Sequence, residues 1–277
     1  MATSQPSGAI TEDVDAPVAL ITGAARGIGA ATAVRLAADG WRVAAADICA
    51  DIDVLRYHLG TRADLDATVA ACAERGTEAI GLVADVRDQS QVDHAVLEAV
   101  ARFGRIDAVV AAAGVITGGD PAWEIDEEVF TTNVDVNLTG VWRTFKAAVP
   151  HLLATPRPRH GRLVAIASAA GMRGNPTIAD YTVAKHGVVG LVRSLALELG
   201  RRGITVNAVA PGSTTTAILD ATAELYHLDD VGEFAVHHTI GRNLDPSEIA
   251  AGVAWLVSPE RDGVTGIVLP VDGGMTI

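Results

Sequence analysis

The sequence predicts an α/β fold in which one doubly wound parallel sheet carries helices on both faces. Three observations predict it. Seven short apolar runs alternate with longer stretches of helical periodicity, a glycine-rich turn joins the first run to the first helical stretch, and an acidic residue closes the second run. The first strand is expected at 17–21 and passes through the turn at 22–29 into an alanine-rich helix reaching about Asp39. The second strand, 42–46, ends at Asp47. Further strands are expected at 79–84, 108–112, 162–167, 204–210 and 267–271, each apolar enough to be buried on both faces. Helices are expected from near Asp64 and at 90–103, 127–153, 179–200 and 246–257. In 179–200, Val188, Leu191, Val192, Leu195 and Leu199 recur at helical spacing and form a core stripe. No internal repeat is visible, and 155–159 reads as a loop within one domain. This is a single Rossmann-type arrangement.

Strand, glycine turn and helix are the setting that a dinucleotide requires. In Thr22-Gly23-Ala24-Ala25-Arg26-Gly27-Ile28-Gly29 the glycines let the backbone approach a pyrophosphate, and the following helix offers free N–H groups and the positive end of its dipole. Asp47, twenty residues after Gly27, is placed to accept hydrogen bonds from ribose hydroxyls and to repel a 2′-phosphate. Arg26 pulls toward that phosphate, but no base follows Asp47, where Ile48 and Cys49 come next. The expected cofactor is therefore NAD rather than NADP.

Tyr181 and Lys185 lie four residues apart, so on a helix they share a face. An ammonium beside a phenol favours the phenolate, which is expected to draw the Tyr181 pKa down from about 10. The phenolate is a general base for an alcohol proton, and the Ser168 hydroxyl, thirteen residues upstream, is placed to hold that alcohol.

Taken together, these features resemble the short-chain dehydrogenase/reductase family from Pro17 to the C-terminus. The marks run in order: Thr22-Gly23-x-x-x-Gly27-x-Gly29, Asp85-Val86, Ala112-Ala113-Gly114, Asn137, Ser168, Tyr181-x-x-x-Lys185, Pro211-Gly212 and Val271-Asp272-Gly273-Gly274. The resemblance implies Asn137, Ser168, Tyr181 and Lys185 as catalytic residues. It implies a cofactor set of Gly23, Arg26, Gly27, Ile28, Gly29, Asp47, Ile48, Asp85, Val86, Ala112, Ala113, Gly114, Tyr181, Lys185, Pro211, Gly212, Thr214 and Thr216. Within that set, Asp85 and Val86 hold adenine, Asn137 completes a water relay to Lys185, and 211–216 binds the carboxamide with a side-chain contact from Thr216. Two positions depart from the family pattern: Ala112 stands where asparagine is usual, and Thr214 where valine is common. The family also implies a homotetramer, with pairing of the helices at 127–153 and 179–200.

A narrower resemblance lies in the inserted residues 49–60, in 117–124 and in 181–190. These resemble the mycofactocin-coupled, carveol-dehydrogenase-like subgroup, in which the insertion covers NAD and hinders its exchange, and mycofactocin reoxidises the nucleotide in place. The other reading of the insertion is a surface loop with no bearing on exchange. Three functions stay open: alcohol oxidation with captive NAD, alcohol, steroid or sugar dehydrogenation with exchangeable NAD, and a non-catalytic NAD(H) sensor.

Bulk properties bound the partners. A formal charge of −13 argues against nucleic acid or an anionic membrane surface, and no apolar run reaches the roughly 20 residues that span a bilayer. Residues 1–16 read as a mobile tail without the pattern of a secretory signal. The domain is then 17–277, with an insertion at about 48–63 and a substrate lid at about 213–242. Cys49 and Cys72 read as thiols in a reducing cytoplasm and give no metal spacing. No metal site is expected; the neighbouring His237 and His238 are assigned to the lid, and His186 to a structural role. Trp123, Tyr226 and Phe234 read equally as pocket lining or packing, whereas Met172 and Arg173 are candidates to border an alcohol or carbonyl substrate.

Overall fold

The computed structural model describes residues 16–277; the tail expected at 1–16 therefore lies, apart from Ala16, outside the described residues. The strands are β1 (Val18–Thr22), β2 (Arg42–Asp47), β3 (Ala79–Val83), β4 (Ala108–Ala111), β5 (Gly161–Ile166), β6 (Ile204–Pro211) and β7 (Val268–Val271). They form a seven-stranded sheet of order β3-β2-β1-β4-β5-β6-β7, parallel throughout. The helices are α1 (Gly27–Ala38), α2 (Arg62–Ala73), α3 (Gln89–Phe103), α4 (Glu127–Val134), α5 (Gly140–Ala154), α6 (Ala179–Leu199), α7 (Ala217–Leu225) and α8 (Pro246–Val257).

Alternation along the strands divides the core into two layers. Val18 and Leu20 of β1 face α3, α5 and α6, where they join Phe103, Phe145, Leu152, Val188 and Val192. Ala19 and Ile21 face α1, α2 and α8, joining Leu36, Leu65, Ile249 and Leu256. Both faces of each central strand are thus covered, which is why the runs read as unbroken apolar sequence.

The helix starts are written locally. Thr61 and Asp64 form a capping box on α2, and Asp245 and Glu248 form another on α8, which has Pro246 in its first turn. The helix expected at 127–153 is present but not regular. Asp135–Thr139 forms a π-helical turn between α4 and α5, and Asn137 sits inside it. Such turns displace side chains from the regular helical face and recur at functional sites.

The chain direction reverses its path through the sheet between β1 and β4, and ligands of open parallel sheets bind outside the strand ends at that point. Here the C-terminal ends of β1, β2, β3, β4, β5 and β6 bring the predicted segments together. The face behind them is close-packed, and Phe145 is 1% exposed. Phe145→Ala is expected to cost about 3–5 kcal/mol of unfolding free energy, read from the shift of a urea denaturation curve at unchanged slope.

Candidate active site

A cavity of about 740 Å³ opens at these strand ends, and every residue in the predicted catalytic and cofactor sets lines it. The first wall comes from the β1–α1 turn: Gly23, Arg26, Gly27, Ile28 and Gly29. Two glycines there have no substitute. Gly23 has φ +70° and a Cβ on it would lie 2.6 Å from the backbone of Ala113, while a Cβ on Gly29 would lie 2.0 Å from the Gly23 carbonyl oxygen. The turn is drawn tight enough to present bare backbone to the cavity at the start of α1.

Asp47 and Ile48 continue the wall beyond β2. Asp47 is buried and orders its surroundings: Oδ2 accepts from Ala25 N (3.0 Å) and Oδ1 from Cys49 N (3.1 Å). Asp85 and Val86 follow β3. The Asp85 carboxylate is gripped by Arg87, whose Nη2 donates at 2.7 Å and whose backbone N donates at 2.8 Å. Ala112, Ala113 and Gly114 line the centre, after β4. Ala112 has no amide to tie the strands, and Ala113 N donates instead to Thr22 Oγ1 at 3.5 Å.

Asn137 lies behind Gly114, fully buried. Its Oδ1 accepts from Val115 N (3.2 Å), and its Nδ2 donates to Val115 O (2.9 Å) and Asn133 Oδ1 (2.8 Å). Ser168 follows β5 and caps the short turn Ala169–Gly171, accepting from Ala170 N at 3.1 Å. That turn packs so closely on α6 that a Cβ on Gly171 would lie 2.8 Å from the Lys185 carbonyl oxygen.

Tyr181 and Lys185 lie on one face of α6, with Lys185 Nζ 5.5 Å from the centre of the Tyr181 ring. Nζ donates to Ile166 O at 2.9 Å, and Lys185 is 3% exposed. The expected fall of the Tyr181 pKa is not what the protein's own groups produce. Burial pushes the phenol up, with Ser168 opposing, and the same burial pushes Lys185 down to about 8. The reason is geometric: the ammonium is bonded to a backbone carbonyl rather than to the phenol, so desolvation outweighs its attraction.

Pro211, Gly212, Thr214 and Thr216 close the far wall. This segment is knitted to the end of the lid. His238, 4% exposed, accepts from Ser213 N through Nε2 at 3.0 Å, and Leu244 N donates to Ser213 O at 2.9 Å. His238 is therefore a structural pin, a role its sequence position did not reveal. His186 is exposed and engages Thr182 O through Nδ1 at 2.9 Å. Among the described residues no group of three or more His, Cys, Asp or Glu side chains is placed to hold a metal.

The lid folds as α7 and the short helix Val231–His237. Its Ile218, Leu219, Tyr226 and Phe234 line the cavity, as does Ile178, and Ile178, Ile218 and Tyr226 pack in one cluster with Tyr181. Tyr226 and Phe234 also pack edge to face at 6.3 Å, so both expected roles apply to them. Trp123 is 83% exposed and lies off the cavity. Of the substrate-border pair, Arg173 lines the cavity and Met172 does not.

The insertion is not a free surface loop. Ile48, Ile52, Leu59 and Gly60 line the cavity, and Ile52 packs with Val86, Val115 and Val136. Tyr57 reaches across to the lid side, where it joins Ile116, Ile178, Ile218 and Tyr181. Its hydroxyl accepts from Ile116 N at 2.9 Å, and burial pushes its pKa up to about 12. Nothing in the local sequence marks Tyr57 for this contact.

Comparison with known proteins agrees with this geometry. A family model described as "Enoyl-(Acyl carrier protein) reductase" matches residues 23–276. The chain belongs to the short-chain dehydrogenase/reductase family. It is 38% identical over 275 residues to (-)-trans-carveol dehydrogenase of Rhodococcus erythropolis, covering 95% of this chain and 99% of the relative. The crystal structure of carveol dehydrogenase from Mycobacterium avium in complex with NAD superposes with a TM-score of 0.89 at 40% identity, covering 94% of this chain and 97% of that one. A short chain dehydrogenase from Mycobacterium paratuberculosis, bound to NAD, gives 0.86 at 36% identity over 94% and 97%.

The buried ammonium has a measurable cost. Because the folded pKa of Lys185 is about 8, below the unfolded value of about 10.4, the unfolded chain binds more protons between these limits and stability rises with pH there. Lys185→Met lacks this rise. Any stability advantage of the variant is expected to be largest below pH 8 and to shrink by about 3 kcal/mol by pH 10.5, measured as the difference between paired denaturation curves.

Proposed function

We propose that this protein is an NAD-dependent alcohol dehydrogenase that oxidises an apolar, ring-bearing secondary alcohol to its carbonyl, with NAD held tightly and reoxidised in place by mycofactocin. The observation that carries the reading is the convergence of the glycine turn, Asp47, Asn137, Ser168, Tyr181 and Lys185 on one cavity. The residues fit NAD: Gly23 and Gly29 permit the tight turn that brings bare backbone and the start of α1 to the cavity, since a Cβ on either would strike the protein's own backbone, and Asp47 lines the cavity beyond β2, where its carboxylate would meet a ribose and repel a 2′-phosphate. Lys185 and Tyr181 would hold the nicotinamide ribose, and 211–216 would hold the carboxamide. Bound NAD supplies the acceptor for the hydrogen that leaves carbon with its electron pair.

The chain's own groups do the rest. Ser168 orients the alcohol and then the carbonyl by hydrogen bonding. Tyr181 takes the hydroxyl proton, the positive charge of the oxidised nicotinamide opposing, with Lys185, the burial that raises its pKa, and Asn137 anchors the water path that returns the proton through Lys185 to solvent. Proton transfer of this kind contributes on the order of 100- to 10,000-fold. The lid side chains Ile218, Leu219, Tyr226 and Phe234, with Ile178, favour a hydrocarbon body, in keeping with the likeness to carveol dehydrogenases.

Cofactor retention is supported by the insertion. Ile52 and Leu59 sit on the cavity, and Tyr57 clamps the segment to Ile116 and the lid. The proposed homotetramer is supported by apolar side chains left exposed on α5 and α6, namely Trp142, Val183 and Leu197. Two free cysteines accord with a cytoplasmic setting.

The test has two parts. Protein purified without added nucleotide is expected to carry close to one NAD(H) per chain through prolonged dialysis, and to reduce that NAD when mixed with carveol or related cyclic alcohols. Tyr57→Ala is expected to release nucleotide about tenfold faster, matching loss of roughly 1.4 kcal/mol of closure. An empty, freely exchanging site would overturn the retention reading. Bound NAD that no alcohol reduces would overturn the dehydrogenase reading.

A further inference from the structure

Asp180 immediately precedes the Tyr181 base, and no step above uses it. Its side chain is 0% exposed, and among the described residues its Oδ1 has no hydrogen-bond partner, although the backbone N–H groups of Asp180 and Tyr181 lie toward the carboxyl and favour its charged form. Its Oδ2 accepts from the Thr117 hydroxyl. Thr117, 7% exposed, also accepts from Asn133 Nδ2 at 2.6 Å. Asn133, fully buried, accepts through Oδ1 from Asn137 Nδ2 at 2.8 Å. Three elements are joined in this way: the first turn of α6, the segment after β4, and the helix that carries the π-turn.

The bonding has a direction. The Val115 backbone N–H can only donate, so Asn137 must turn Oδ1 toward it, which leaves Nδ2 for Val115 O and for Asn133, whose backbone O (3.1 Å) and Oδ1 (2.8 Å) both accept. An Asn133 amide nitrogen in the place of Oδ1 would set donor against donor at 2.8 Å, so Asn133 presents its oxygen there and its own Nδ2 faces Thr117. A threonine hydroxyl has one proton. For Oγ1 to accept from Asn133, that proton must point elsewhere, and among the described residues the acceptor it meets is Asp180 Oδ2. Without an acceptor at 180, the proton turns back toward the Asn133 amide. Flipping Asn133 to receive it sets two amide nitrogens against each other at Asn137, in a dry site where an unmatched donor costs about 1–3 kcal/mol.

We infer that Asp180 is a positioning residue for the reaction, the terminal acceptor of a one-way hydrogen-bond chain through Thr117 and Asn133 that fixes Asn137 relative to the Tyr181 phenol. The inference rests on the dehydrogenase reading and adds to it. The position calls for an acceptor at Oδ2 rather than for a charge. Burial raises the Asp180 pKa, and a neutral acid with its proton on Oδ1 still accepts at Oδ2. Asparagine keeps an acceptor for the Thr117 hydroxyl. Leucine does not.

The experiment compares Asp180→Leu and Thr117→Val, which break the chain, with Asp180→Asn and Thr117→Ser, which keep its acceptor and its hydroxyl. Turnover is measured on the cyclic alcohol that wild type oxidises fastest, NADH affinity by fluorescence, and stability by thermal melting. The breaking pair is expected to lose about tenfold or more in kcat, with KM and the NADH Kd within about twofold, because Asn137 acts on the proton path rather than on binding. The conservative pair is expected to stay within about threefold of wild type. A purely structural role would lower the melting temperature of the breaking pair and leave kcat per folded site unchanged. That result overturns the inference, as does a conservative pair that falls with the breaking pair. Wild-type protein that oxidises no alcohol would instead sink the reading beneath it. Thr117→Val is close to isosteric, so the chain can be tested even where Asp180→Leu does not fold.

Discussion

The site depends on one expensive arrangement, an ammonium group kept out of water. Lys185 is buried, and its Nζ is bonded in the protein to the Ile166 carbonyl at the end of β5. A lone buried charge shifts its pKa or is neutralised, and here the pKa falls to about 8. The surroundings hold the group in place despite that cost. Gly171 brings the Ser168 turn against the Lys185 backbone, and a Cβ on Gly114 would lie 3.7 Å from Nζ. Tyr181 is placed by the same helix, one turn earlier. A lysine free to reach solvent would remove both the cation and the reason for this packing.

The fold makes the arrangement affordable by putting it at the strand ends. Six parallel strands terminate around the cavity, and each supplies a short segment whose backbone is already fixed by the sheet. The glycine turn, Asp47, Gly114, Ser168 and 211–216 therefore need little further ordering. Less regular parts complete the enclosure. The insertion and the lid contribute apolar side chains, and Tyr57 and His238 tie them to the walls by single hydrogen bonds to backbone N–H groups.

Much of this was legible in the sequence because it is local. The unbroken strands, the glycine spacing, the acidic end of β2 and the Tyr181–Lys185 interval each span a few residues and express a period or a turn requirement. The missing parts are contacts between distant positions. Thr117 meets Asp180 across 63 residues, and Ile116 meets Tyr57 across 59. Neither pair has a local signature. Asn133 was within reach, since it stands one turn before Asn137 on the same helix. The direction in which the protein's own groups move the Tyr181 pKa was hidden for a different reason. Residue spacing puts an ammonium near a phenol, but it reports neither how dry the site is nor that Ile166 O captures the charge. Exposure misled in the same way, because an aromatic such as Trp123 reads identically in sequence whether it faces a pocket or water.

The central claim is that Tyr181 takes the proton of an alcohol oxidised at this cavity. The most direct measurement is a single turnover of NAD-loaded Tyr181→Phe mixed with a cyclic alcohol, followed by nicotinamide absorbance beside wild type. The account predicts unchanged nucleotide content and a rate at least about 100-fold lower. A variant that holds NAD normally and reduces it at the wild-type rate would contradict it.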